Sequence, residues 1–250
     1  MKNKLFPTHE IGSLKKPSWY NAVRKGRPPS EADLAELQRW SRLLNLDSTP
    51  LRKLLTGRST SALKRETLQW AVRFALKLQE KAGLDAVWDG EFWRSEMYED
   101  PVSRIPGLRF TASYRGVLAF DDNYYRPAEC ITRPKKGPAL YVDELKFAKS
   151  QTKRIVKVPL TDPHTLATWS YNIYYLRKLD KKRLDPKQAR YEAKRDFTLD
   201  LAKGPLRHTL RELIRAGAEA IQLDAPAAIT DLREFDEATL KQLGYELPLY

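Results

Sequence analysis

Glu91 and Asp224 each close a short, largely apolar run, and this placement makes them the first residues to consider for chemistry. Leu84-Asp85-Ala86-Val87-Trp88 leads straight into Asp89-Gly90-Glu91, and Ala220-Ile221-Gln222-Leu223 ends at Asp224, ahead of Ala225-Pro226. A third polar cluster, Ile11-Gly12-Ser13, follows the extended run Leu5–Thr8. Two carboxylates on neighbouring walls suit a primary ammonium group, and a turn containing glycine can offer close backbone N–H groups to a carboxylate. Together they describe a site for an α-amino acid. The same pair could instead act as general acid and base in sugar hydrolysis, and each alone could simply cap a following helix.

The elements that must position these groups alternate. Strands are expected at Leu5–Thr8, Leu84–Trp88, Arg154–Leu160 and Ala220–Asp224. Ser61 to Ala82 has apolar residues at helical spacing, and Gly83 ends it. Ser30 caps a helix inside the long excursion from Lys15 to Arg58. Further helices are expected over Tyr141–Lys149, Ala167–Lys178 and Pro186–Ala216, the last broken at Gly204-Pro205. Phe110–Tyr114 and Val117–Phe120 read as a β-hairpin turning at Arg115-Gly116, and Asp231 to Tyr250 as a polar helical tail. Helices alternating with short apolar strands argue for an α/β fold with a parallel sheet. Four such units would make the first half of an eight-stranded (β/α)₈ barrel spanning residues 1–230, with residues 231–250 as the tail. In such a barrel the C-terminal strand ends converge on one face, where active sites sit.

The chain has 250 residues and a formal charge of +13, with 42% hydrophobic residues, enough to build a core. Basic residues are interleaved with acidic ones over Arg177–Arg195 and Leu206–Glu219, which favours solvated helix faces over a nucleic-acid surface. An anionic substrate tail would also suit such a surface. No apolar run reaches the roughly 18 residues of a membrane span, and the basic start lacks the apolar stretch of a secretory signal. A cytoplasmic protein is expected. Cys130 is the single cysteine, so neither an intramolecular disulfide nor a thiolate cluster can form, and it reads as a passive small apolar residue. His9 and His164 fall near expected strand ends and His208 on a helix, without metal-ligand spacing.

Several segments, in order, resemble the catalytic domain of cobalamin-independent methionine synthases, especially the short archaeal form. They begin with Phe6-Pro7-Thr8-His9-Glu10-Ile11-Gly12-Ser13, then Gly83-Leu84-Asp85, Asp89-Gly90-Glu91 and Arg94-Ser95-Glu96-Met97. Tyr125-Arg126-Pro127 follows, then Val156-Lys157-Val158-Pro159-Leu160-Thr161 with Thr168-Trp169-Ser170, and finally Ile221-Gln222-Leu223-Asp224-Ala225-Pro226-Ala227. The resemblance implies methyl transfer to homocysteine from a methylated folate or pterin, or from a methylcorrinoid carrier. It implies that Ile11, Gly12 and Ser13 hold the amino-acid carboxylate and that Glu91 and Asp224 hold its ammonium group. Trp169 would pack on the pterin, with Arg94, Glu96 and Arg126 as its polar contacts.

The resemblance also implies zinc, held by a His-x-Cys pair after the fifth strand, a glutamate and a late cysteine. These ligands are expected to be absent from this chain. Asp224-Ala225-Pro226-Ala227 stands where the family usually has Asp-Glu-Pro-Ala, and Asp162-Pro163-His164 replaces a more glycine-like stretch. Half a barrel would leave open strand edges, so self-association or a complementary barrel half is expected as partner. Two functions follow: a methyltransferase half-domain completed by a zinc-bearing half, or a non-catalytic homologue that keeps an amino-acid pocket or acts in assembly.

Overall fold

Ser30 opens the longest helix of the N-terminal excursion with a reciprocal cap. Its hydroxyl accepts from the Asp33 N–H at 3.2 Å, while the Asp33 carboxylate accepts from the Ser30 N–H at 2.8 Å. The computed structural model describes residues 5–57, 61–110, 117–120, 123–179 and 184–228. In chain order these carry α1 (Ser18–Arg24), α2 (Glu31–Leu44), α3 (Thr49–Thr56), α4 (Ser61–Lys81), β1 (Ala86–Val87) and α5 (Glu99–Arg104). Four short strands follow: β2 (Leu108–Phe110), β3 (Val117–Phe120), β4 (Asn123–Tyr125) and β5 (Ala128–Cys130). Then come α6 (Val142–Gln151), β6 (Ile155–Thr161), α7 (Pro163–Thr168), α8 (Ile173–Leu179) and α9 (Pro186–Leu201). A π-helical turn (Ala202–Leu206) joins α9 to α10 (Arg207–Arg215), and β7 (Ala220–Asp224) is the last strand.

The contacts divide into two units. The first comprises Met1–Arg94, Asp143–Val158 and Ala218–Ala220; the second comprises Ser95–Val142, Pro159–Gly217 and Ile221–Tyr250. In the first, α1 packs on α2 and α4, and α3 packs on α4. Trp19, fully buried on α1, meets Phe74 of α4 edge-on at 5.4 Å. β1 pairs with β6 in parallel, Ala86 opposite Ile155 and Val87 opposite Val156. The side chain of Gln79 fixes the end of β1 against α4, accepting from the Trp88 N–H at 3.0 Å and donating to the Trp88 carbonyl at 2.6 Å.

In the second unit the core gathers Tyr98, Val102, Ile105, Leu166, Tyr175, Phe197 and Leu201, so α5, α7, α8 and α9 share one apolar cluster. The C-terminal ends of β6 and β7 meet here, where the Asp162 N–H donates to the Asp224 carbonyl at 3.0 Å. The sheet order is β1-β6-β7.

Four expectations change. Leu5–Thr8 forms no strand; instead the Asp85 carboxylate accepts from both the backbone N–H and the hydroxyl of Thr8, at 2.7 and 2.8 Å. The described ends of the expected hairpin have other partners. Phe110 pairs with Ala128 in the antiparallel pair β2–β5, and Val117–Phe120 pairs with Asn123–Tyr125. Residues 111–116, with the expected Arg115-Gly116 turn, lie outside the described residues, as does the expected tail from Asp231. The helix expected over Ala167–Lys178 is two helices. Asp162 and Pro163 start α7 early, and Tyr171 then leaves helical geometry to bridge Glu129. The Gly204-Pro205 break, finally, is absorbed by the π-helical turn, which accommodates the missing N–H of Pro205 without ending the helix.

Candidate functional site

The first unit brings a charged cluster to the end of β1. The Leu14 N–H donates to the Gly90 carbonyl at 3.2 Å, which ties the Ile11-Gly12-Ser13 segment to the Asp89-Gly90-Glu91 turn. That turn is built on left-handed backbone: Gly90 has φ +72° and Glu91 φ +62°. A side chain at Gly90 would in addition press on the Phe92 ring at 3.0 Å and the Ala75 Cβ at 3.2 Å. Glu91 has no glycine's freedom, and its backbone is held by its N–H donating to the Asp89 carboxylate at 2.8 Å. Its own carboxylate lies 3.8 Å from the buried Arg94 guanidinium.

Asp89 is 1% exposed. Burial pushes its carboxyl up to about 7, against the opposing pull of Arg94 and the Glu91 N–H; the charges of Glu91 and Glu144 add to the rise. Glu10 is held above the usual carboxylate range by burial, offset by Lys157 and raised further by Glu91. Burial and the Arg24 charge lower Lys16, while Glu91 and Asp89 oppose that shift. Three acids (Glu10, Asp89, Glu91) and three cations (Lys16, Arg94, Lys157) thus form one interacting set.

Gly12 does not have positive φ, and a Cβ there would meet nothing within 4 Å, so open space rather than backbone strain distinguishes the position. Ile11 is 79% exposed and Ser13 is also exposed. The Gly12 backbone N–H opposes the rise of the Glu10 carboxyl. Lys157 holds Glu10 from the other side: its ammonium donates to the Glu10 carbonyl, and lies 3.7 Å from the Glu10 carboxylate and 3.4 Å from His9 Nδ1. Sequence reasoning gave Glu10, Asp89 and Lys157 no role. The signal for Lys157 was a lone cation in Ile155-Val156-Lys157-Val158, because a charge in a buried strand needs partners.

Asp224, Glu96, Arg126 and Trp169 belong to the second unit. The Asp224 carboxylate accepts from the Gln222 amide. Asp162 is a helix cap: its carboxylate accepts from the His164 and Thr165 N–H groups at 3.0 and 2.9 Å. Glu96 is also engaged with backbone, accepting from the N–H groups of Tyr98 and Glu99 at 2.7 and 2.8 Å at the start of α5. Burial raises it, and those N–H groups oppose the rise. Arg126 stacks its guanidinium 4.0 Å above Phe110, and its N–H donates to the Glu99 carboxylate at 2.8 Å. Trp169, partly buried, ends α7 and tilts against Tyr98 at 5.8 Å. Of the residues read as pterin contacts, Arg94 alone lies in the first unit, beside Glu91.

Zinc requires several His, Cys, Asp or Glu side chains at one point. Among the described residues no three are so grouped. Cys130 is buried and donates to the Thr132 carbonyl at 3.2 Å. Burial and the charge of Asp200 push its thiol up to about 12, the opposite of what a thiolate ligand needs. No helix among the described residues is long and apolar enough to cross a membrane.

The family described as "Cobalamin-independent synthase, Catalytic domain" matches residues 48–242. A methionine synthase of Pyrococcus abyssi is 31% identical over 92% of this chain and 54% of its own length. One of Thermoplasma volcanium is 35% identical over 69% of this chain and 46% of its own. The chain thus spans about half the length of the curated relatives it matches. Among solved structures, a B12-independent methionine synthase from Shewanella sp. W3-18-1, in complex with selenomethionine, superposes with a TM-score of 0.56 at 22% identity, covering 78% of this chain and 52% of that one. A putative vitamin-B12 independent methionine synthase from Listeria monocytogenes gives 0.53 at 14%, covering 89% and 53%. These two likenesses speak to the fold. With the profile matching well over half of its residues, the chain belongs to the family of cobalamin-independent methionine synthase catalytic domains.

Proposed function

We propose that this chain binds homocysteine and a methylated folate or pterin, or a methylcorrinoid carrier, as the substrate-recognising part of a methyltransferase of methionine synthesis. In this reading residues 1–230 form the first four β/α units of a (β/α)₈ barrel. Ile11, Gly12 and Ser13 receive the amino-acid carboxylate, Glu91 and Asp224 the ammonium group. Trp169 offers an aromatic face to the donor, and Arg94, Glu96 and Arg126 its polar surroundings. The observation that carries the reading is Glu91, a non-glycine residue kept in left-handed backbone by Asp89 at the end of a strand. Such strain persists where the surroundings enforce it, and it clusters at functional sites. The open space beside Gly12 supports a ligand approaching there.

Zinc would supply a deprotonated, positioned sulfur. In this reading it is held by side chains other than those described, through a complementary barrel half or a second copy, in the cytoplasm. Titration of the full chain with homocysteine, followed calorimetrically, tests the proposal. Glu91→Ala or Asp224→Ala should weaken binding at least tenfold. Binding that survives both changes, or no binding even with a zinc-bearing partner, refutes it.

A second reading rests on one observation. The Gly12 backbone N–H already faces the Glu10 carboxylate and opposes its rise. A homologue whose turn is closed by its own side chain would act in assembly rather than catalysis. Glu10→Gln separates the two: it should strengthen amino-acid binding if Glu10 competes for the turn, and leave an assembly protein unchanged.

A further inference from the structure

The first unit holds a cavity of about 380 Å³ that none of the roles above uses. Its walls follow from helical spacing. Glu36, Trp40 and Leu44 recur every fourth residue on α2, and Phe74 and Leu78 do the same on α4, so each helix lines the cavity with one stripe. The segment from Leu14 to Pro17 and the ring of Phe92 close it.

Two of the aromatic walls are fixed from behind. Phe92 stacks on Tyr20 at 6.1 Å, and the Tyr20 hydroxyl donates to the Phe92 carbonyl at 3.2 Å. Phe74 is backed by the fully buried Trp19. The cavity is therefore preformed, and its volume falls near the lower end of the range of small-molecule sites. It has room for one ring with a short chain, and is too small for a pterin carrying its side chain.

The polar groups have a sign. Lys15, Lys16 and Arg39 bring three positive charges to the lining, against one carboxylate, Glu36. Glu36 accepts from the Ser18 N–H at 3.4 Å, at the start of α1. Lys16 Nζ lies 5.5 Å from the Phe92 ring centre, and the Arg39 guanidinium 5.8 Å from that of Trp40. Among the described residues neither cation forms an ion pair; Asp33 and Glu91 pair with Arg27 and Arg94 instead. Burial weakens the hold of Lys16 on its proton, so an anion placed beside it would be favoured.

We propose that this cavity binds a small aromatic monocarboxylate, its ring among Trp40, Phe74 and Phe92 and its carboxylate toward Lys16 and Arg39. A neutral ligand would leave both cations unmatched, and a cationic one would be repelled by them. The inference does not rest on the methyl-transfer reading.

Ligand-observed NMR on the full chain, with hydrocinnamate and its neutral amide as probes, tests this. Hydrocinnamate should bind, and the amide at least fivefold more weakly. Leu78→Trp, which fills the space between the two helices, should reduce the affinity for hydrocinnamate at least tenfold with unchanged circular dichroism. Arg39 is exposed and outside the core, so Arg39→Glu keeps the test decisive if the larger change disturbs folding; it should weaken binding at least fivefold. Lys53→Glu, on α3, should leave it within twofold. The proposal is overturned if hydrocinnamate does not bind at millimolar concentration, if the amide binds as tightly, or if Arg39→Glu changes nothing. Displacement of the probe by homocysteine would also overturn it, by placing the probe in the site already described. A chain that binds hydrocinnamate but not homocysteine would sink the methyl-transfer reading and leave this one standing.

Discussion

Arg94 Nη1 lies 3.8 Å from Glu91 Oε1, and both side chains are largely buried. The resemblance had assigned these residues to different ligands, yet here they constrain each other. Removing one member of a buried pair leaves an uncompensated charge, which is worth about 3–5 kcal/mol. Arg94→Met should therefore destabilise the chain by that order in urea denaturation. Arg94→Met with Glu91→Gln should recover a substantial part. A double variant no more stable than Arg94→Met would show that the pair is not what holds the turn.

Asp89 sets the acid limb of stability in the opposite sense to an ordinary surface carboxylate. Its carboxyl is pushed up from 3.8 to about 7, so the folded protein binds a proton that the unfolded chain has already released. This contribution is fully present below about pH 4 and is lost as pH rises through about 7. Glu10, also raised by burial, acts in the same direction. Unfolding free energy measured between pH 4.5 and 8 should fall by a few kcal/mol from this source. Asp89→Asn should flatten the profile; an unchanged slope in that variant would place the titration elsewhere.

Much of this architecture was legible because it is local. The Ser30 cap, the apolar periodicity of α4 and the run into Glu91 are written within one or two helical turns or one strand. Strand pairing around the expected hairpin was less legible because β-pairing is not local. Phe110 has the composition of a hairpin strand, but its partner Ala128 lies beyond β3 and β4. The site divides in the same way. Glu91 and the Gly12 turn were visible from residue types, whereas the link from Lys157 to Glu10 spans 147 positions and only the fold creates it. Glu96 shows the same limit: its carboxylate, read as a donor contact, also accepts from two backbone N–H groups at the start of α5, a partnership that residue type alone does not reveal.

Asp162 follows one strand and Asp224 ends another, and they should separate cleanly. Asp162 is fully buried and accepts two N–H groups at the start of α7. Asp162→Ala should lower stability by about 1–2 kcal/mol, the usual effect of losing a cap, and leave amino-acid affinity within twofold. Asp224→Ala should do the reverse, weakening the ligand with little loss of stability. Thermal melts with and without homocysteine read both quantities in one experiment. Equal behaviour of the two variants would remove the distinction between cap and ligand.

Lys157 is 4% exposed and faces the carbonyl and carboxylate of Glu10. Lys157→Met keeps the apolar stem and removes the charge that most opposes the burial of Glu10. Glu10 would then rise further, because burial and the Glu91 charge would remain. A carboxylate raised in the folded state stabilises at low pH and loses that contribution as pH rises. Lys157→Met should therefore cost about 3 kcal/mol at pH 8, the order seen when a buried pair is broken, and clearly less at pH 5. Adding Glu10→Gln should restore most of the loss at pH 8, since no charge then remains to be buried. Urea denaturation at the two pH values decides the matter: equal losses at both would mean that Lys157 acts through packing alone.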